Sequence, residues 1–153
     1  MERKSQSAND SVNRTGLLSL PIDDLDDSIM YELLKWAIEN KPPEFIKSLI
    51  EQGVNVNTKD VSGYTPLHTA AHKSPLDIMQ YLIANGANVN AKTNDGWTPL
   101  HTVALVCKNV EILQYLISAG ADVHAKNNVG TIPLDYAKTE ETKQILREAM
   151  GLE

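Results

Sequence analysis

The segment Gly63-Tyr64-Thr65-Pro66-Leu67-His68-Thr69-Ala70-Ala71 returns 33 positions later as Gly96-Trp97-Thr98-Pro99-Leu100-His101-Thr102-Val103-Ala104. A weaker copy follows after another 34 positions, Gly130-Thr131-Ile132-Pro133-Leu134-Asp135-Tyr136-Ala137. A second series keeps the same phase: Gly53-Val54-Asn55-Val56-Asn57, Gly86-Ala87-Asn88-Val89-Asn90 and Gly120-Ala121-Asp122-Val123-His124. Self-similarity at a fixed period of this size is the signature of a repeat architecture. Four units fit between Ser28 and the last residue, at about 28–59, 60–92, 93–126 and 127–153.

Each unit carries its own start and stop signals. In unit two, Thr65-Pro66 opens a helix, since the missing proline N–H costs nothing in a first turn, and Leu67, Ala70 and Ala71 fall on one face. Ser74-Pro75 breaks it, Asp77 stands at the start of a second helix, Ile78, Tyr81 and Leu82 form that helix's apolar face, and Asn85-Gly86 ends it. The Asn-Val-Asn and Lys-x-x-x-Gly residues that follow are turn chemistry, predicting a loop that projects between units. Helix pairs this short cannot bury their own apolar faces, so they must stack on neighbours as an all-α solenoid. Small Ala70, Ala71 and Ala104 let the first helices of successive units approach closely, which predicts a concave face along them.

The composition sets outer bounds. A length of 153 residues with 42% apolar and 22% charged residues suits one globular domain. A net charge of −6 gives no general attraction to phosphate backbones or acidic lipid heads, so neither nucleic acid nor membrane is an expected partner. The single cysteine, Cys107, cannot form an internal disulfide and fits a reducing, cytoplasmic setting. No apolar run approaches the roughly 18 residues that a membrane span needs. Arg3 and Lys4 precede only the short Leu17-Leu18-Ser19-Leu20 cluster, too little for a secretory signal. Residues 1–27, rich in Ser, Asn and Asp, lack helical or strand periodicity and are expected to form a disordered tail. From Asp26-Asp27-Ser28 onward, capping acceptors precede Ile29, Leu33, Leu34, Ala37 and Ile38 at helical spacing, so a helix starts there.

In these residues the chain resembles the ankyrin repeat, whose Gly-x-Thr-Pro-Leu-His, Ala pair, second helix and Gly-Ala-x-Val-Asn are matched nearly in full. The resemblance covers about residues 28–150 and implies stacked antiparallel helix pairs with projecting loops and turns, used for binding proteins and not for catalysis. Departures fit the ends of a stack. Unit one has Leu33-Leu34-Lys35-Trp36 in place of Thr-Pro-Leu-His and keeps a second helix in Glu44-Phe45-Ile46-Lys47-Ser48-Leu49-Ile50, as an amino-terminal capping repeat would. The last unit has Ile132 for Thr, Asp135 for His, and a polar second helix through Glu140, Glu141, Lys143, Gln144, Arg147 and Glu148, as a carboxy-terminal cap would. Unit three is longer by one residue, inserted between Ala104 and Asn109, so Leu105-Val106-Cys107-Lys108 reads as an enlarged turn. Where such repeats usually have glycine in this turn, Lys41, Ser74 and Lys108 stand, predicting strained or reshaped turns.

Catalytic chemistry finds few footholds. His68 and His72, four apart, have the spacing of two metal ligands on one helix face, which would support a metal-dependent enzyme. However, no Glu sits between them as in hydrolytic zinc motifs, and by resemblance His68 hydrogen-bonds around the loop. Cys107 has no base within a readable motif, and no Gly-rich phosphate loop or Gly-x-Ser-x-Gly occurs, so no catalytic residue, metal or cofactor is expected.

Surface recognition remains. Tyr64 and Trp97 hold the same position in successive units, one residue past the loop glycine, and are expected to project from the loop tips as partner contacts, in preference to packing on their own loops. The resemblance implies binding through loop tips and inner helices. Carried over, this gives Val61, Ser62, Tyr64, His72 and Lys73 in unit two, and Asn94, Asp95, Trp97, Leu105, Val106 and Cys107 in unit three. Unit four adds Val129 and Thr131, with Lys138 at the edge. Val61, Leu105, Val106 and Val129 suggest an apolar strip beside the aromatics. Trp36, Phe45, Tyr81, Tyr115 and Tyr136 are read as core between units. Asn57 and Asn90 match a position that is hydroxylated in some ankyrin proteins. The expected function is a monomeric, non-catalytic module binding a protein partner, with two narrower variants: a small inhibitor of an enzyme such as a kinase, or an effector that an intracellular microbe delivers into its host cell.

Overall fold

Asp26 sets the first helix: its carboxylate accepts the Ile29 N–H at 2.9 Å, capping α1 (Asp27–Asn40). In this computed structural model, which describes residues 24–73 and 76–152, α1 turns back through Lys41-Pro42 into α2 (Pro43–Glu51). The pattern repeats as α3 (Pro66–Lys73) with α4 (Leu76–Ala84), and α5 (Pro99–Val106) with α6 (Val110–Ser118). The last unit pairs a single 3-10 turn (Pro133–Tyr136) with α7 (Glu140–Ala149). Most of the segment read as a tail lies outside the described residues, but Leu25 within it is buried in the core.

Packing differs between the two rows of helices. Ala70, Ala71 and Ala104 are buried, and the inner row of α1, α3, α5 and the 3-10 turn packs more extensively on itself than does the outer row of α2, α4, α6 and α7. A single buried cluster runs through all four units, from Leu33 and Leu34 through Leu67, Met79 and Leu82 to Leu100, Leu113, Leu116 and Leu146. Each such side chain contributes about 1.5–3 kcal/mol relative to exposure. Trp36, Phe45, Tyr115 and Tyr136 pack against this cluster as half-buried residues at its margin, while Tyr81 is half-buried beneath the Lys47 ammonium, 5.5 Å from its ring centroid.

The loops are stitched to one another. At equivalent places Asp60, Thr93 and Asn127 each present one side-chain oxygen to the N–H groups two and four residues on. Between loops, Asn94 donates its N–H to the Ser62 carbonyl at 2.9 Å and its side-chain amide to the Val61 carbonyl at 2.9 Å. Asn128 repeats this on Asp95 and Asn94, at 2.9 and 2.8 Å. On the other side of each loop Asn57 spans to Gly86 and Asn88, and Asn90 to Gly120 and Asp122. Gly63 has φ +83°, and a Cβ there would fall 2.8 Å from the Asn94 Oδ1, so the close approach of neighbouring loops requires glycine.

Two expectations about the turns are corrected. Leu105 and Val106 belong to the last turn of α5, and the extra residue lies in the shorter stretch 107–109 before α6. Lys41 is extended, with φ −122° and ψ 156°, and every positive φ among the described residues belongs to glycine, so Lys41 carries no strain. Ser74 lies outside the described residues.

Candidate functional site

The two motif histidines are structural couplers. Each Nδ1 accepts the N–H of its own Thr65 or Thr98, at 3.2 Å, which places the proton on Nε2. The Nε2–H then donates across the seam: His68 to the Trp97 carbonyl at 2.9 Å, His101 to the Thr131 carbonyl at 3.0 Å. Burial holds both below the usual histidine pKa, reinforcing the neutral form. Both ring nitrogens of His68 are thus engaged within the stack, while His72 stands exposed. Among the described residues no group of three or more potential ligands sits together.

Trp97 also corrects an expectation. It is half-buried and does not project: its Nε1–H donates to Thr102 Oγ1 at 2.7 Å, and its ring lies 5.0 Å from His101 and 4.7 Å, edge-on, from Tyr136. The large indole gains more from packing at the unit three and four seam than from solvent. Tyr64 folds back edge-on to His68, at 5.4 Å, but remains 40% exposed. Thr131, third in register, is half-buried with its hydroxyl 2.8 Å from that of Tyr136.

Along the inner helices Tyr64, His68, Trp97 and Thr102 line one groove of about 440 Å³, which Thr131 does not border. Of the residues expected from sequence it gathers Tyr64, His72, Lys73, Trp97, Leu105 and Val106. Its other wall is α1, through Tyr31, Lys35 and Glu39, which follow one another at four-residue spacing. That wall escaped the sequence reading, because unit one lacks the motif from which positions were transferred; the four-residue spacing of Tyr31, Lys35 and Glu39 was the available signal. Tyr31 is buried, which raises its pKa above the ordinary tyrosine value despite a hydrogen bond with Thr69.

The loop-tip residues lie elsewhere. Val61 and Val129 are exposed by 98% and 79%, at different loop positions separated by Asn94 and Asp95, so the expected apolar strip is not continuous. Asn94 holds the Val61 carbonyl and Ser62 accepts from Asn94, so these tips serve the stitching between units. Cys107 and Lys138 lie outside this groove and share a smaller hollow at the turn edge.

A family model for ankyrin repeats, in three copies, matches residues 34–142. The chain belongs to the ankyrin-repeat family. No curated protein matches it. Ankyrin repeats are generally protein-interaction modules and typically non-enzymatic. In this ankyrin chain the groove walls come from three successive units, so its shape depends on the stack as a whole. No helix among the described residues is long and apolar enough to cross a membrane.

Proposed function

We propose that this ankyrin protein binds a protein partner in the groove along its inner helices. The observation that carries the reading is that Tyr64, Leu105 and Val106, from two units, leave apolar surface in one concavity that no described element covers. Concave, mostly apolar sites with a few polar groups at the rim are where ligands gain most from desolvation. Tyr64 supplies a rigid, amphipathic anchor, and His72 and Lys73 supply polar contacts beside it. Trp97 lines the groove with a ring held in place by His101 and Tyr136.

The test is capture of partners from source-cell lysate on the full chain, with mass spectrometry, followed by titration of the purified partner. The Tyr64→Ala/Leu105→Ala variant should lose at least tenfold in affinity, about 1.4 kcal/mol, while keeping its helicity. A partner retained at full strength by that variant would place binding outside the groove.

A further inference from the structure

The main groove is one of three adjoining hollows. A second, of about 80 Å³, lies between Lys73 and Lys108, and a third, of about 320 Å³, between Lys108 and Lys138. Val106 lines all three, so they adjoin at one apolar side chain near the edge where inner helices turn into outer ones. The inserted residue of unit three shapes this edge, since the three-residue turn 107–109 sets Cys107 and Lys108 between the two smaller hollows.

The charged side chains that line the two smaller hollows have one sign. Lys73, Lys108 and Lys138 recur once per unit and are exposed, and neither smaller hollow is lined by a carboxylate among the described residues. Asp77, Glu111 and Glu140, close in sequence, occupy the first turns of α4, α6 and α7, where the helix dipole favours them. The ion pairs among the described residues run from Glu140 to Lys143 and Arg147 and involve none of the three edge lysines. A chain of net charge −6 thus presents a local cationic border beside its exposed apolar floor.

We infer that the partner segment is an acidic peptide with apolar anchors: its side chains fill the groove around Val106 and its carboxylates meet Lys73, Lys108 and Lys138. The inference rests on the groove reading above and names the chemistry of its occupant. Local complementarity of this kind selects partners and speeds encounter even when the chain as a whole repels acids.

Selection of a random twelve-residue phage-displayed peptide library on the full chain tests it, with selected peptides then titrated by fluorescence anisotropy. Enriched peptides should carry Asp or Glu around an aliphatic or aromatic residue. Binding should fall at least tenfold in Lys73→Glu/Lys108→Glu/Lys138→Glu, and less than threefold in Lys59→Glu/Lys92→Glu/Lys126→Glu, which makes the same charge change on the loop side. Peptides without acidic bias that are lost in Tyr64→Ala/Leu105→Ala would overturn this inference and leave the groove reading standing. If no selected peptide is lost in that variant, the groove reading fails and the inference with it. Equal losses in the two lysine triples, or tighter binding of a single-stranded oligonucleotide than of any peptide, would also overturn it.

Discussion

Tyr64 and Trp97 occupy the same place in their units, yet truncating them should have opposite consequences. Trp97→Ala removes a ring that packs on His101 and Tyr136 and leaves the Thr102 hydroxyl without its donor. A loss of about 2–3 kcal/mol is expected in urea denaturation, at the lower end for a large aromatic because the ring is only half-buried. Tyr64→Ala exposes little and should cost under about 1 kcal/mol, with its effect appearing in partner affinity instead. Thr58 offers the reverse case. It is buried with its hydroxyl unpaired, while Ala91 and Ala125 stand at the equivalent positions of the next units. An unpaired buried hydroxyl costs about 1–3 kcal/mol, so Thr58→Val should raise the melting temperature, and a lower one would show that the hydroxyl has a partner after all.

The loops that carry Gly96 and Gly130 look interchangeable in sequence and are not in space. Both glycines have positive φ, so alanine is strained at either, by about 1–2 kcal/mol. At Gly96 a Cβ would also lie 2.7 Å from Asn128 Oδ1 and 3.0 Å from the Asn128 nitrogen, whereas at Gly130 it meets open space. Gly96→Ala should therefore cost at least about 1 kcal/mol more than Gly130→Ala, measured by thermal melts. The helix pairs were legible because Thr-Pro starts, Asn-Gly stops and apolar spacing act within a few residues. The shared oxygen of Asp60, Thr93 and Asn127 was not, because three different side chains do the same work. The last inner element departs from the motif as its residues do: with Asp135 in the histidine position, its carboxylate takes the Ile132 N–H at 2.8 Å, and the segment closes as a short 3-10 turn. Half of the groove was legible from the motif register, and the α1 wall was not.

For the molecule as a whole, two seams depend on neutral histidine. His68 and His101 have pKa values lowered on folding, so the folded state binds protons less readily than the unfolded chain, whose histidines titrate near 6.5. Their stabilising contribution is complete above about pH 6.5 and is lost as pH falls below it toward the folded-state values. Melting temperature should drop by several degrees between pH 7.5 and 5.5, and His101→Asn should flatten that dependence. An unchanged profile would mean that the imidazoles are accommodated in charged form. Substantial packing joins each unit only to the next, and the seams differ: units three and four share the Trp97, His101 and Tyr136 cluster, while unit one offers unit two no motif histidine. Stretched from its two ends, such a stack can yield one seam at a time, because its continuous core is held only by contacts between neighbouring units. It should shed its amino-terminal pair first and lengthen in steps, so that tension alone could dismantle the α1 wall of the groove and release whatever it holds.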